Sequence, residues 1–271
     1  MKETLISLLD FSKISKQPTQ LIADLLSPSL IQRIARFLLA RKARSLSPKE
    51  GLKLLSEFDR SVYHLQGEIA TAYGKGVHVK HRLTSYHKFF SSRINESDVV
   101  LDIGCGNGAL TYEIAETTRA HVTGVDIKES NVKLAKQLHP SERVTYLQGD
   151  ALTDIKEQQF DVVVLSNIME HIRDRVAFLQ TIQKVTNAKR FIFRVPNYER
   201  DWRVPLKKEL GVEWRLDITH EIEHTLEEFI EEIYQSGLII QHLESSNKII
   251  MPMRILERLS KYDNLTTPLT F

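Results

Sequence analysis

A single cysteine in 271 residues leaves no pair from which a disulfide could form within the chain. The fold must then be held by its core, and a reducing compartment is expected. Long apolar runs are also missing, and none approaches the length of a membrane span. Met1 to Leu9 is briefly apolar, but Asp10 interrupts it and no small-residue cleavage site follows. No secretory leader is expected, and the expected location is cytoplasmic. Nor is there an excess of either charge, since 37 Lys and Arg stand against 35 Asp and Glu. With no basic tract suited to a phosphate backbone, nucleic acid is not an expected partner. No internal repeat or low-complexity segment occurs. What the chain does have is 42% hydrophobic and 27% charged residues, ordinary for a soluble domain with a sizeable core.

The most informative stretch is 99 to 110. Val99, Val100, Leu101 and Ile103 form a short β-branched, apolar run of the kind that makes a fully buried parallel strand. Gly104, Gly106 and Gly108 then allow a sharp turn and close approach to a ligand. Ala109 to Glu116 has the composition of a helix whose N-terminus would face that ligand. The spacing Gly104-x-Gly106-x-x-Ala109 also satisfies the dinucleotide fingerprint, so an NAD-dependent dehydrogenase or epimerase is an alternative reading. Asp102 argues against it, because an unpaired carboxylate in a buried strand is costly. A cofactor bearing an ammonium or sulfonium supplies the missing partner; a pyrophosphate does not.

Asp102-x-Gly104-x-Gly106-x-Gly108 resembles the first motif of the class I methyltransferases that depend on S-adenosyl-L-methionine (SAM). Three later features follow in that family's order. Val122 to Val125 is a strand ending in Asp126, the position that takes the ribose hydroxyls in such a fold. Val144 to Leu147 is a third strand, followed by the adenine-side turn Gly149-Asp150-Ala151. Phe160 to Asn167 resembles the fourth strand and the loop bordering the methyl group. The resemblance covers roughly residues 78 to 245. It implies an α/β fold with a doubly wound, seven-stranded, mostly parallel sheet over residues 77 to 252. An all-helical extension, 1 to 76, precedes it and a tail, 253 to 271, follows. The implied cofactor-binding residues are Asp102, Gly104, Cys105, Gly106, Gly108, Asp126, Ile127, Asp150, Ala151, Ser166 and Asn167. Cys105 reads as a small filler in the glycine turn rather than a nucleophile. Arg82, on the helix leading into the first strand, is expected to pair with the cofactor's carboxylate, and His78, His81 and Tyr86 to face the same cavity.

Ahead of that domain the pattern is helical. Ser27-Pro28 is a start signal, and Leu30, Ile31, Ile34, Phe37 and Leu38 share one face. Arg33, Arg36, Arg41, Lys42 and Arg44 occupy the other, so this helix can lie on an anionic membrane surface or serve as scaffold. A second start at Ser47-Pro48 opens one long helix running to about Tyr73. Its stripe of Leu55, Phe58, Val62, Leu65 and Ile69 would form a lid on the cofactor domain or a homodimer seam.

The chemistry is expected after the fourth strand, at Asn167-Ile168-Met169-Glu170-His171. Many small-molecule methyltransferases carry a Glu-His pair there. Some quinone-pathway O-methyltransferases add an acidic residue three positions earlier and bind a metal; Asn167 stands at that place here, and no metal is expected. His171 is one candidate base. His220, in an Asp217-Ile218-Thr219-His220 stretch resembling methyltransferases of cell-envelope sugar and lipid pathways, is the other, with Asp217 placed to orient it. His220 and His224 stand one helical turn apart, a spacing that permits zinc with His171 without indicating it. The nearly thirty residues after the fifth strand, with Trp202 and Trp214, are expected to shape the acceptor pocket. The resemblance thus implies methyl transfer to a small-molecule, sugar or lipid-linked acceptor, most simply at oxygen. A SAM-binding regulatory module without catalysis is the second alternative.

Overall fold

The computed structural model describes residues 24–75, 78–84, 86–155, 159–245 and 252–257. The expectations for Met1 to Leu9 and for a strand at Lys248 to Met251 lie outside these residues, as does the tail beyond Glu257. The chain divides into two compact units, Met1–Tyr63 and His64–Phe271. The division falls inside a helix rather than at the Gly76 turn expected from the sequence.

In the first unit, α1 spans Pro28–Arg44. The Ser27 hydroxyl accepts from Leu30 N, and Pro28 takes the first helical position, where its missing N–H costs nothing. Helix α2, Pro48–Tyr73, begins with the Ser47 hydroxyl accepting from Glu50 N at 3.3 Å. Gly51 is buried against Ala43, where an added Cβ would lie 2.7 Å from the Ala43 carbonyl oxygen. No residue of α1 is buried. Its Phe37 and Leu38 are about 60% exposed, and most of the α2 stripe is exposed as well. Among the described residues, no helix is long and apolar enough to cross a membrane.

The second unit is built on strands β1 (Val99–Ile103), β2 (His121–Asp126), β3 (Val144–Gln148), β4 (Val162–Ser166) and β5 (Arg190–Arg194), with β6 (Ile239–Ser245) and β7 (Pro252–Glu257) beyond them. The order is β3-β2-β1-β4-β5-β7-β6; the first five run parallel, and β7 is antiparallel to both β5 and β6. Among the described residues the last strand is therefore Pro252–Glu257, across the boundary expected at 252 and through a stretch expected to turn helical. Met253 to Leu256 is too short for periodicity to separate one helical turn from a strand, and pairing with β5 decides for the strand.

Alternation along the strands sorts the core into two layers. Leu101, Val163, Phe191 and Phe193 meet Leu179 and Ile182 of α7 (Arg175–Thr186) and Phe229 and Ile233 of α9 (Leu226–Gln235). Val100, Val162, Val164 and Ile192 meet Tyr86, Phe89 and Phe90 at α4 (His87–Ser91) and Leu110 and Ile114 of α5 (Ala109–Thr118). One alternation further up, at the carboxyl ends of the strands, this second layer continues as Asp102, Ser166 and Arg194. Two short helices flank this edge, α3 (Lys80–Thr84) and α6 (Glu129–Leu138), and α8 (Arg203–Leu210) lies in the long connection after β5. Helix α8 has no counterpart among the elements expected from the sequence.

Candidate active site

The glycine turn is held from below. Gly104 N and Cys105 N both donate to the Val125 carbonyl, at 2.7 and 3.0 Å, which closes the turn onto β2. Gly104, Gly106 and Gly108 all adopt positive φ, but for different reasons. A Cβ on Gly108 would sit 2.9 Å from the Ala135 Cβ, whereas one on Gly106 would meet nothing within 4 Å. Gly106 faces open space, and Gly108 is the position that lets α5 pack. Gly108→Ala should therefore lose about 2–5 kcal/mol of stability, combining left-handed strain with overpacking. Gly106→Ala should lose only about 1–2 kcal/mol, from strain alone. Urea titration of the two variants checks the difference.

Asp126 organises the neighbouring corner. Its carboxylate accepts from Gly106 N at 2.9 Å, from Lys128 N at 2.8 Å and from Asn131 Nδ2 at 3.1 Å. Asn131, in the first turn of α6 and five residues after Asp126, is not among the residues expected from the sequence. Beside this corner a cavity of about 760 Å³ opens at the carboxyl edge of the sheet. Gly104, Asp126, Ile127, Asp150, Ala151 and Asn167 line it, as does His171. Asp102, Cys105, Gly106, Gly108 and Ser166 do not form its walls. Cys105 is buried against Gly124, and burial pushes its thiol far up, so it stays protonated.

Asp102 is 1% exposed and accepts one side-chain hydrogen bond, from Thr111 Oγ1 at 2.6 Å. Burial pushes its carboxyl up to about 7. Asn167, at φ +60°, is pinned by donation of its N–H to the Arg194 carbonyl at 2.8 Å, yet its Oδ1 is buried with no partner. Each such atom costs about 1–3 kcal/mol while unsatisfied, so the edge of the sheet presents acceptors suited to a ligand rich in donors. Arg82 does not join them: it is exposed and lines a separate hollow with Tyr73, Lys75, His78 and Val79. Five residues of helix turn it away from the sheet edge, a rotation that spacing alone could not reveal. His78 goes with it, while the Tyr86 hydroxyl meets His81 Nδ1 at 2.5 Å.

Of the two candidate bases, His171 lines the cavity and His220 packs behind it. His171 and His220 pack edge to face, their ring centroids 4.8 Å apart. His171 Nδ1 lies 3.3 Å from the Thr219 carbonyl, and burial followed by the His220 charge lowers its pKa. His220 is buried, and its Nδ1 lies 3.0 Å from the Glu223 carboxylate, which is itself held by Arg200 and Leu216 N. Glu223, not Asp217, thus orients His220; Asp217 accepts from the Thr219 N–H and hydroxyl. His224 turns away from both, toward Glu232 at 2.8 Å, because residues 219–224 form a loop rather than a helix. Glu170 is 1% exposed with Oε2 unpartnered, and burial pushes it up to about 7. Glu170, His171 and His220 each offer a ligand atom within 4.8 Å of the others, a cluster able to hold a cation in which Glu170 takes the place that the zinc spacing assigns to His224.

Residues 94–257 match a family model described as a methyltransferase domain. The chain is 29% identical over 135 residues to a ubiquinone biosynthesis O-methyltransferase of Nitrosospira multiformis, covering 48% of this chain and 56% of that one. It is 32% identical over 118 residues to a ribosomal protein L11 methyltransferase of Thermotoga maritima, covering 43% and 42%. It thus spans about half the length of these curated relatives. In fold it resembles magnesium protoporphyrin IX methyltransferase of Synechocystis PCC 6803, solved with bound S-adenosylhomocysteine, at a TM-score of 0.54 and 20% identity over 68% of this chain and 86% of that one. None of these similarities supports the dehydrogenase reading that the glycine spacing left open. The match runs from Ile94 through the whole sheet to Glu257, and on it the chain belongs to the methyltransferase domain family.

Proposed function

We propose that the chain transfers the methyl group of SAM to a hydroxyl of a small-molecule, sugar or lipid-linked acceptor. The observation that carries this reading is the sheet-edge cavity, lined by both Asp126 and His171, with His220 packed against His171. SAM supplies an electrophilic methyl group on a positively charged sulfur. Asp126 and Asn131 would hold its ribose hydroxyls, while Ile127, Asp150 and Ala151 would border its adenine. Ile127, an aliphatic side chain 68% exposed beside the cavity, suits a flat ring. Asp102, buried behind the cavity wall, would act on the cationic end through its charge, and the ligand would offset the cost of its burial.

The chain's own contribution to the reaction is position and one proton. The cavity walls hold the acceptor oxygen in line with the methyl group and exclude water. Donation of His171 Nδ1–H to Thr219 leaves Nε2 as the lone-pair nitrogen, the tautomer that a base requires. Its lowered pKa keeps it neutral at physiological pH. His220, fixed by Glu223, holds the His171 ring from behind. The basic face of α1 supports a peripheral approach to an anionic membrane, consistent with a lipid-linked acceptor.

The test is transfer of a labelled methyl group from SAM to a panel of phenolic, sugar and prenyl-quinol acceptors. His171→Gln should lower kcat by about 10²–10⁴ without changing the affinity for S-adenosylhomocysteine. Wild-type turnover should fall only as pH drops below the ordinary histidine range, because the base works while unprotonated. Tight SAM binding with no turnover across the panel would favour the regulatory-module reading.

A further inference from the structure

We infer that Arg194, at the end of β5, and Lys80, on α3, form a binding subsite for a carboxylate beside the methyl-transfer position. The inference deepens the function proposed above and rests on it for the identity of the neighbouring ligands.

Arg194 ends the row that begins with Asp102 and Ser166 along one face of the sheet. It is 4% exposed, and its Nε is buried without a hydrogen-bond partner. Its guanidinium carbon lies 3.7 Å above the Tyr86 ring. Among the described residues, no carboxylate forms an ion pair with Arg194 or with the half-buried Lys80. Glu170 is the acid whose charge acts on Arg194, but no hydrogen bond joins the two, and the other acids nearby are engaged elsewhere. Glu113 is bound to His87, Asp102 accepts from Thr111, and burial pushes both Asp102 and Glu170 up to about 7. His81 adds no further positive charge, since burial and its cationic neighbours bring it down to about 4. Lys80 is depressed by burial and then by Arg194, a sign that the two positive charges share one region.

Burying a guanidinium without a counter-charge costs several kcal/mol, and an aliphatic residue would fill the same volume without that cost. What a guanidinium adds is a flat fork of donors matched to a carboxylate. The fork is also held in place, because Tyr86 supports it from one side. Tyr86 is anchored in turn to His81 Nδ1, which lies 3.2 Å from His87 Nε2, and His87 is tied to Glu113.

Two carboxylates could occupy the subsite: that of the cofactor's methionine and one carried by the acceptor. The strand order favours the acceptor, because β5 lies two strands from β1 and its glycine turn, a lateral step of about 10 Å.

Calorimetry on the full chain separates the sources. S-adenosylhomocysteine is compared with 5′-methylthioadenosine, which lacks the carboxylate. With the protein saturated in S-adenosylhomocysteine, 4-hydroxybenzoate is compared with its methyl ester. Each titration is run on wild type, Arg194→Gln, Arg194→Lys and Lys80→Met. If the acceptor's carboxylate binds here, Arg194→Gln and Lys80→Met lose a tenfold or greater preference for 4-hydroxybenzoate over the ester, Arg194→Lys keeps part of it, and both adenosyl compounds bind as in wild type. If the cofactor's carboxylate binds here, the same variants lose affinity for S-adenosylhomocysteine alone. Lys80→Met carries the comparison should Arg194→Gln fail to fold. Unchanged preferences in the variants for both pairs of compounds would overturn the subsite. Failure of wild type to bind either adenosyl compound would instead sink the methyl-donor reading, and the benzoate pair on ligand-free protein would still decide the anion subsite.

Discussion

Replacing Asp126 with alanine is expected to weaken binding of SAM and S-adenosylhomocysteine by more than about 100-fold. The carboxylate acts twice. It receives Gly106 N, Lys128 N and Asn131, and so sets the glycine turn against α6. In the function proposed here, it also faces the ribose. Hydrogen bonds to a charged group contribute about 1.5–3 kcal/mol each, so the loss of two brings affinity down by two to four orders of magnitude. Asp126→Asn keeps an acceptor oxygen but not the charge and should fall between wild type and alanine. Calorimetry measures the loss, and circular dichroism should show an intact fold, since the sheet core does not depend on this side chain. Wild-type affinity in Asp126→Ala would remove Asp126 from the site.

Asp102→Asn should separate stability from binding. In the ligand-free protein the Asp102 carboxyl is pushed up to about 7 from an ordinary 3.8, burial outweighing the Thr111 hydrogen bond. The folded state therefore holds a proton that the unfolded chain releases between about pH 4 and 7. Stability contributed at Asp102 falls as pH rises through that window, and the full penalty, a few kcal/mol at most, stands above about pH 7. The asparagine variant escapes it, so the variant should melt higher than wild type at pH 8 and gain little at pH 4. Glu170 is pushed in the same direction, so some of the slope should persist in the variant. Binding should move the other way, with about 10- to 100-fold weaker affinity for S-adenosylhomocysteine at pH 8, because the ligand's ammonium loses its counter-charge. A buried group kept at a cost in stability is the usual mark of a functional position. A variant that melts lower than wild type at pH 8 and binds as well would make Asp102 purely structural.

What could be read from the residues was whatever depends on short-range pattern. The run Val99–Ile103, the three glycines after it and the acidic residue closing β2 are local signals, and all fall at one sheet edge in the structure. The helix starts at Ser27 and Ser47 are local too, and both hydroxyls accept from the first turn as their spacing predicts. What escaped depends on rotation or return. Arg82 has the right charge on the right approach segment, but the turn of α3 carries it to another hollow. Arg194 reaches the site only after the chain has folded back, whereas Asn131 and Glu223 stand five and three residues from Asp126 and His220 and lie within reach of local pattern. The last strand falls beyond the expected one because Met253 to Leu256, three apolar residues and an arginine, suit a helical turn and a strand equally. The helix at Arg203–Leu210 was missed since its charged sequence lacks a clear apolar stripe.

The central claim is that the edge of this sheet holds an adenosyl methyl donor. The most direct test is calorimetric titration of the purified chain with SAM, S-adenosylhomocysteine and NAD, run beside Asp126→Ala. Micromolar binding of both adenosyl compounds, lost in the variant and absent for NAD, is the predicted result. Binding of NAD alone, or adenosyl binding that survives the loss of Asp126, would contradict it.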